Sequence, residues 1–131
     1  MGIDDWKMVE VEFVLVSVRP SPLTDSLALL AQVVDLSSRA EATIDTILSS
    51  LVFAYFGAPL QVQDQEERRM DLVREIEESV GPQVVLLHGS RRWLIGTYGG
   101  TDRFNFGAVA PEIPELIRQV LEMNMGEVQE V

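Results

Sequence analysis

The sequence predicts an α+β fold: an antiparallel sheet in β-α-β-β-α-β-β-α order with its helices on one face. Three observations carry that expectation. Apolar residues recur at helical spacing in three separate stretches. Short apolar, β-branched and aromatic runs lie between them, bounded by Gly, Pro and Ser. After the first, those runs come in pairs separated by turn-length breaks, which suits hairpins better than parallel crossovers throughout.

The first strand spans 9–18. Glu10 and Glu12 alternate with Val9, Val11 and Phe13, and Val14 to Val18 then run on almost without polar residues, so its second half is expected to be buried on both faces. Arg19-Pro20-Ser21-Pro22 ends it. A helix follows with Leu27, Leu30, Ala31 and Val34 on one face and Thr24 as its cap. Thr43 to Leu48 and Leu51 to Phe56 form a tight hairpin through Ser49-Ser50, stopped by Gly57-Ala58-Pro59. Asp64 with Glu67 three residues on resembles a capping box, and Met70, Val73, Ile76 and Val80 mark the helix behind it, ending at Gly81-Pro82. Val84 to His88 and Trp93 to Tyr98 read as a second hairpin with Arg91 and Arg92 at its tip. Ile113, Leu116, Ile117, Val120 and Leu121 give the last helix, started by Pro111 and Pro114 and fading at Asn124 to Gly126. The order is a ferredoxin-like core with one extra strand and a terminal helix. No repeat or linker interrupts it, so residues 1–131 are expected to form one domain.

Composition narrows the function classes. A chain of 131 residues with 47% hydrophobic residues can bury a core and is not compositionally disordered. Without cysteine there is no disulfide, thiol catalysis or Cys-based metal site. Ten basic against 21 acidic residues leave a net charge of −11, which repels a phosphate backbone, so no nucleic-acid partner is expected. No apolar run is long enough for a membrane span, and Asp4 and Asp5 do not suit a secretory leader, so the expectation is a cytoplasmic protein without a membrane partner.

The stretch Thr43-Ile-Asp-Thr-Ile-Leu-Ser-Ser-Leu-Val-Phe-Ala-Tyr-Phe-Gly-Ala-Pro59 resembles the β2–β3 hairpin of class III adenylate and guanylate cyclases, with no gap in spacing. Gly96-Thr-Tyr-Gly-Gly-Thr-Asp-Arg103, the aromatic-flanked strand after it and the Pro111 helix are similar to that family's glycine turn and following helix. The resemblance covers residues 9–122, with both leading helices shortened and the terminal family strands after Glu122 missing. It implies a head-to-tail dimer with a nucleotide site at the interface. There two aspartates hold two metal ions, and the other half supplies a lysine, a purine-reading residue, an asparagine and an arginine.

Carried over by position, the two metal aspartates fall on Ser17 and Ser50. The lysine falls on Thr46, the purine-reading residue on Gly107 and the asparagine on Pro114; Arg118 alone keeps the family type. A neutral hydroxyl is a feeble ligand for a hard divalent cation. The resemblance therefore implies neither catalytic residues, nor a metal site, nor a cofactor.

The remaining candidates have plain structural readings. His88 beside Ser90 lacks the orienting carboxylate of a triad and reads as structural. Gly96, Gly99 and Gly100 read as turn glycines, since no P-loop lysine follows. The acidic run Glu75, Glu77, Glu78 reads as a solvated helix face. The expected function is a non-catalytic cyclase-like domain serving as a homodimerising or regulatory module with an unidentified protein partner. The alternative is a nucleotide or anion sensor that uses Arg118, Arg91 and Arg92 in a residual cleft.

Overall fold

The computed structural model describes residues 7–19, 25–47, 50–58, 61–98, 105–109 and 112–131. Thr24, Ser49, Pro59, Gly99, Gly100 and Pro111 lie outside them. Strand β1 (Lys7–Val18) stands at the centre of an antiparallel sheet. It is followed by α1 (Ser26–Arg39), β2 (Thr43–Ile47), β3 (Leu51–Phe56), α2 (Gln65–Val80), β4 (Val84–Tyr98), β5 (Asn105–Val109), α3 (Ile113–Glu122) and β6 (Val128–Glu130). Lateral order is β2-β3-β1-β4-β5, with β6 also on β4. The expected α+β class and ferredoxin-like order therefore hold.

Alternation along β1 divides the core. Val14, Val16 and Val18 join Val52, Ala54, Phe56 and Leu86 on one face, where α1 contributes Leu29 and Val33 and α2 contributes Leu72, Val73, Ile76 and Val80. Val11, Phe13 and Leu15 join Leu51, Phe53, Tyr55, Leu87 and Trp93 in a second cluster with Leu116 and Val120 of α3. Aromatic rings hold this second layer together: Phe13 lies 6.1 Å from Phe53 and 5.4 Å from Trp93, centroid to centroid. The two helices of the ferredoxin-like unit share one face, and the sheet is packed on both.

Several local expectations are corrected. Asp25 caps α1, its carboxylate accepting from the backbone N–H groups of Leu27 and Ala28. Residues 27–31 are all apolar, so the phase of α1 is ambiguous in the sequence; the buried stripe is Leu29, Val33 and Ser37, and Leu27 is 74% exposed. Asp64 forms no capping box: its φ is +57° and its side chain caps nothing. Gln65 ties that turn instead, accepting from the Val62 N–H and donating to the Glu10 carbonyl. On α2 the inward position belongs to Arg69, and Met70 is exposed.

The expected second hairpin at Gly89–Arg92 does not exist. Residues 84–98 are one strand, because β1 pairs with it without a break from Lys7↔Ile95 to Val18↔Val84. Gly89 marks a close approach rather than a turn: a Cβ there would stand 2.4 Å from the Val131 carbonyl oxygen. The hairpin that follows joins β4 to β5, pairing Leu94↔Val109 through Tyr98↔Asn105. The terminal segment is not devoid of strand either, since β6 runs parallel to β4, pairing Leu86↔Val128 through His88↔Glu130.

Burial on both faces predicts an asymmetric response to truncation. Phe13→Ala should lower unfolding free energy by about 3–5 kcal/mol, and Leu27→Ala should change it by less than about 0.5 kcal/mol. Urea denaturation followed by far-UV circular dichroism measures both.

Candidate functional site

The resemblance directs attention first to the tip where β1 ends beside the β2–β3 turn. Ser17 opposes Leu51 on one side and Val85 on the other, and it is 1% exposed. The Val18 N–H donates to the Ser50 carbonyl at 2.8 Å, so Ser50 faces Val18, one register step beyond the Ser17–Leu51 pair. Both positions thus lie at the same tip of the sheet, one register step apart. Just beyond, the Arg19 guanidinium donates to the carbonyls of Val120 at 3.0 Å and Leu121 at 2.9 Å, placing positive charge at the C-terminal end of α3.

The positions of the second half are more dispersed. Thr46 pairs with Val52 in β2, and Gly107 pairs with Gly96 between β5 and β4. Pro114 is exposed in the first turn of α3, and Arg118 points to solvent, ion-paired to Glu115 one turn earlier.

The three candidate arginines do not converge. Arg91 opposes Val11 and Arg92 opposes Glu10, so strand alternation sends their side chains to opposite faces. Arg91 is engaged: it donates to Glu112 at 3.0 Å and to the carbonyls of Ser90 and Val131, and its guanidinium lies 5.8 Å from the Phe13 ring centroid. The other carboxylate oxygen of Glu112 accepts the Trp93 indole N–H, which pins the start of α3 to β4.

Sequence reasoning missed the most concentrated polar chemistry. Where the valine face of β1 ends, Arg69 reaches inward from α2 and is 2% exposed. It donates through Nε to Glu12 at 2.8 Å, through one terminal nitrogen to His88 Nδ1 and through the other to Glu130 at 3.1 Å. Glu12 also accepts the Ser90 hydroxyl at 2.7 Å. Ser90 therefore bonds to the carboxylate and His88 to the guanidinium, an arrangement without the serine–histidine contact that nucleophilic catalysis needs.

Arginine has only donors, so Nδ1 of His88 must present its lone pair. Burial lowers the His88 pKa below its ordinary 6.5, the Arg69 charge lowers it further, and the Glu130 carboxylate opposes both. The signal for this cluster was phase: Arg69 falls on the stripe of Leu72, Val73, Ile76 and Val80, and His88 alternates with Val84 and Leu86.

Other features offer less. A cavity of about 140 Å³ lies between Glu41, Thr43, Tyr55 and Val62, below the roughly 300 Å³ at which small-molecule clefts begin. Among the described residues, no group of three or more His, Cys, Asp or Glu side chains gathers as a metal site, and no helix is long and apolar enough to cross a membrane.

Two outcomes follow. Glu12→Ala should cost about 3–5 kcal/mol, because it leaves Arg69 buried and short of its carboxylate, whereas Arg118→Ala should stay within about 0.5 kcal/mol. Because folding depresses the His88 pKa, the unfolded chain binds more protons below the ordinary value of 6.5. Stability contributed by neutral His88 is therefore full above that value and lost as pH falls from it toward the folded pKa. Urea midpoints across that range, compared with His88→Gln, measure the loss.

No family model matches the sequence, and no curated protein matches it in sequence. Solved structures match its fold. The adenylyl cyclase CyaB from P. aeruginosa superposes with a TM-score of 0.75 at 11% identity, over 96% of this chain and 78% of that one. The guanylyl cyclase Cya2 gives 0.68 at 16% identity, over 96% and 76%. A dimeric guanylyl cyclase domain of the RhoGC fusion protein from the aquatic fungus Blastocladiella emersonii gives 0.73 at 14% identity, over 95% and 80%. A central strand flanked by the β2–β3 hairpin and by β4, with Ser17 and Ser50 near its tip, is thus set in the fold of adenylyl and guanylyl cyclase catalytic domains.

Proposed function

We propose that this chain is a cyclase-fold domain that acts by binding, as a dimerisation or regulatory interaction module, and does not form cyclic nucleotides. One observation carries the reading: serines, Ser17 and Ser50, occupy the sheet tip at the two positions where the resemblance calls for metal-holding carboxylates. Two neutral hydroxyls, one buried, do not fit a site for hard divalent cations, which demand anionic or carbonyl oxygens in number. Neutralising the charge that develops on a phosphate by metal ions supplies several kcal/mol, and each step of about 1.4 kcal/mol is tenfold in rate. Losing those ligands removes useful turnover.

The second half of the site supports the same reading. Thr46 and Pro114 offer no positive charge and no amide, and Arg118 is committed to Glu115 at the surface. Pairing with a competent partner would therefore not restore a complete site. A sensor role built on Arg91, Arg92 and Arg118 has less support, because no common cleft receives them. Association with a second copy draws support from the non-canonical dimer of the fungal domain of the same fold, a domain also seen as a monomer.

The purified protein with Mn²⁺ and ATP or GTP should yield no cyclic nucleotide above a protein-free control, read by mass spectrometry; measurable product overturns the proposal. Light scattering coupled to size exclusion should report a mass of two chains. A single-chain mass at every loading concentration removes the homodimer.

A further inference from the structure

We propose that residues 124–131 form a pH-sensitive latch, in which protonation of His88 detaches strand β6 from the edge of β4. The segment includes a short parallel edge strand, laddered to β4 over only three residue pairs, and further bonds flank that ladder. Gly126 N–H donates to Val84, Leu86 N–H to Glu127 and Val131 N–H to His88, each at about 3.0 Å. Two side chains add to these: Arg69 donates to Glu130, and Arg91 to the Val131 carbonyl. Val128, Gln129 and Glu130 are all exposed, and only Val131 packs against the core.

The groups around His88 explain why it would act on this segment. Arg69 faces it from α2, Glu130 from β6 and Ser90 from its own strand, with Glu12 of β1 on the far side of Arg69. With His88 neutral, each of the three guanidinium nitrogens of Arg69 meets an acceptor. A proton on Nδ1 sets an N–H against an N–H and a positive charge against a positive charge in a buried setting, so Arg69 must withdraw. It cannot draw Glu12 with it, since that carboxylate is bonded to Ser90 and belongs to the central strand.

Glu130 is its one partner with a mostly exposed side chain, 59%, and it stands on a three-residue strand exposed throughout. The displacement therefore falls on β6, whose three residues are all exposed, and it outweighs the attraction that protonated His88 gains for the Glu130 carboxylate. Opening leaves the β4 edge from Val84 to Gly89 without its partner.

Hydrogen exchange of the full-length protein tests this, with rates corrected for intrinsic exchange. From about pH 7.5 to about pH 5.5, protection of the Leu86 and Val131 amides should fall about tenfold or more, equivalent to about 1.4 kcal/mol, while β1 and β3 amides hold theirs. His88→Gln keeps an acceptor for Arg69 but cannot titrate, so its latch should be flat across that range. Glu130→Gln should weaken the latch at neutral pH and keep the pH response, which preserves a test if His88→Gln does not fold. The proposal fails if wild-type protection at 124–131 is pH-independent, if β1 opens alongside it, if His88→Gln responds like wild type, or if Glu130→Gln leaves neutral-pH protection unchanged.

Discussion

Everything in this domain is arranged around a central strand that is apolar on both faces. From Val11 to Val18, apart from Glu12 and Ser17, β1 alternates between two apolar sets; β4 pairs with all of that length and β3 with Glu12 to Ser17. Such a strand can be kept from water only by cover on each side, which α1 and α2 supply for Val14, Val16 and Val18, and α3 for Phe13 and Leu15. The length of β1 also explains why β4 is one strand: a continuous partner satisfies the backbone of Gly89, Ser90, Arg91 and Arg92, residues that in isolation favour a turn.

At the Lys7 end the same strand turns amphipathic, and the fold changes its means of cohesion there. Glu12 replaces a valine on the α2 face and is met by Arg69, with His88 and Ser90 completing the contacts. A buried ion pair of this kind adds little net stability over an apolar one, because desolvation offsets most of the attraction. What it adds is register. Slipping β1 or α2 would strand an unpaired charge, which costs several kcal/mol, so the network specifies which residues must meet.

The sequence made the pattern of elements legible because apolar periodicity and turn residues are local signals. β1, the β2–β3 hairpin and the three helices all follow from them. What stayed hidden depended on residues far apart in the chain. Gly89 has the composition of a turn, yet it is glycine because Val131 crosses it. Arg69 breaks an apolar stripe by its charge, yet it is buried because Glu12, 57 positions earlier, stands opposite. β6 is three residues long and wholly exposed, so no hydrophobic pattern could announce it. At the candidate site, the shared tip of Ser17 and Ser50 was legible through the resemblance, whereas the scatter of Arg91, Arg92 and Arg118 required the strand register and the helix phase.

The burial of Ser17 connects the proposed loss of chemistry to the stability of the domain. That residue sits between Leu51 and Val85 with almost no exposure. A carboxylate in that place is tolerable only while a cation offsets its desolvation; without one it would either take up a proton or destabilise the strand on which both cores depend. A hydroxyl carries no such penalty. On the proposed reading, serine at this position spares the strand that both cores share the desolvation cost of a buried carboxylate.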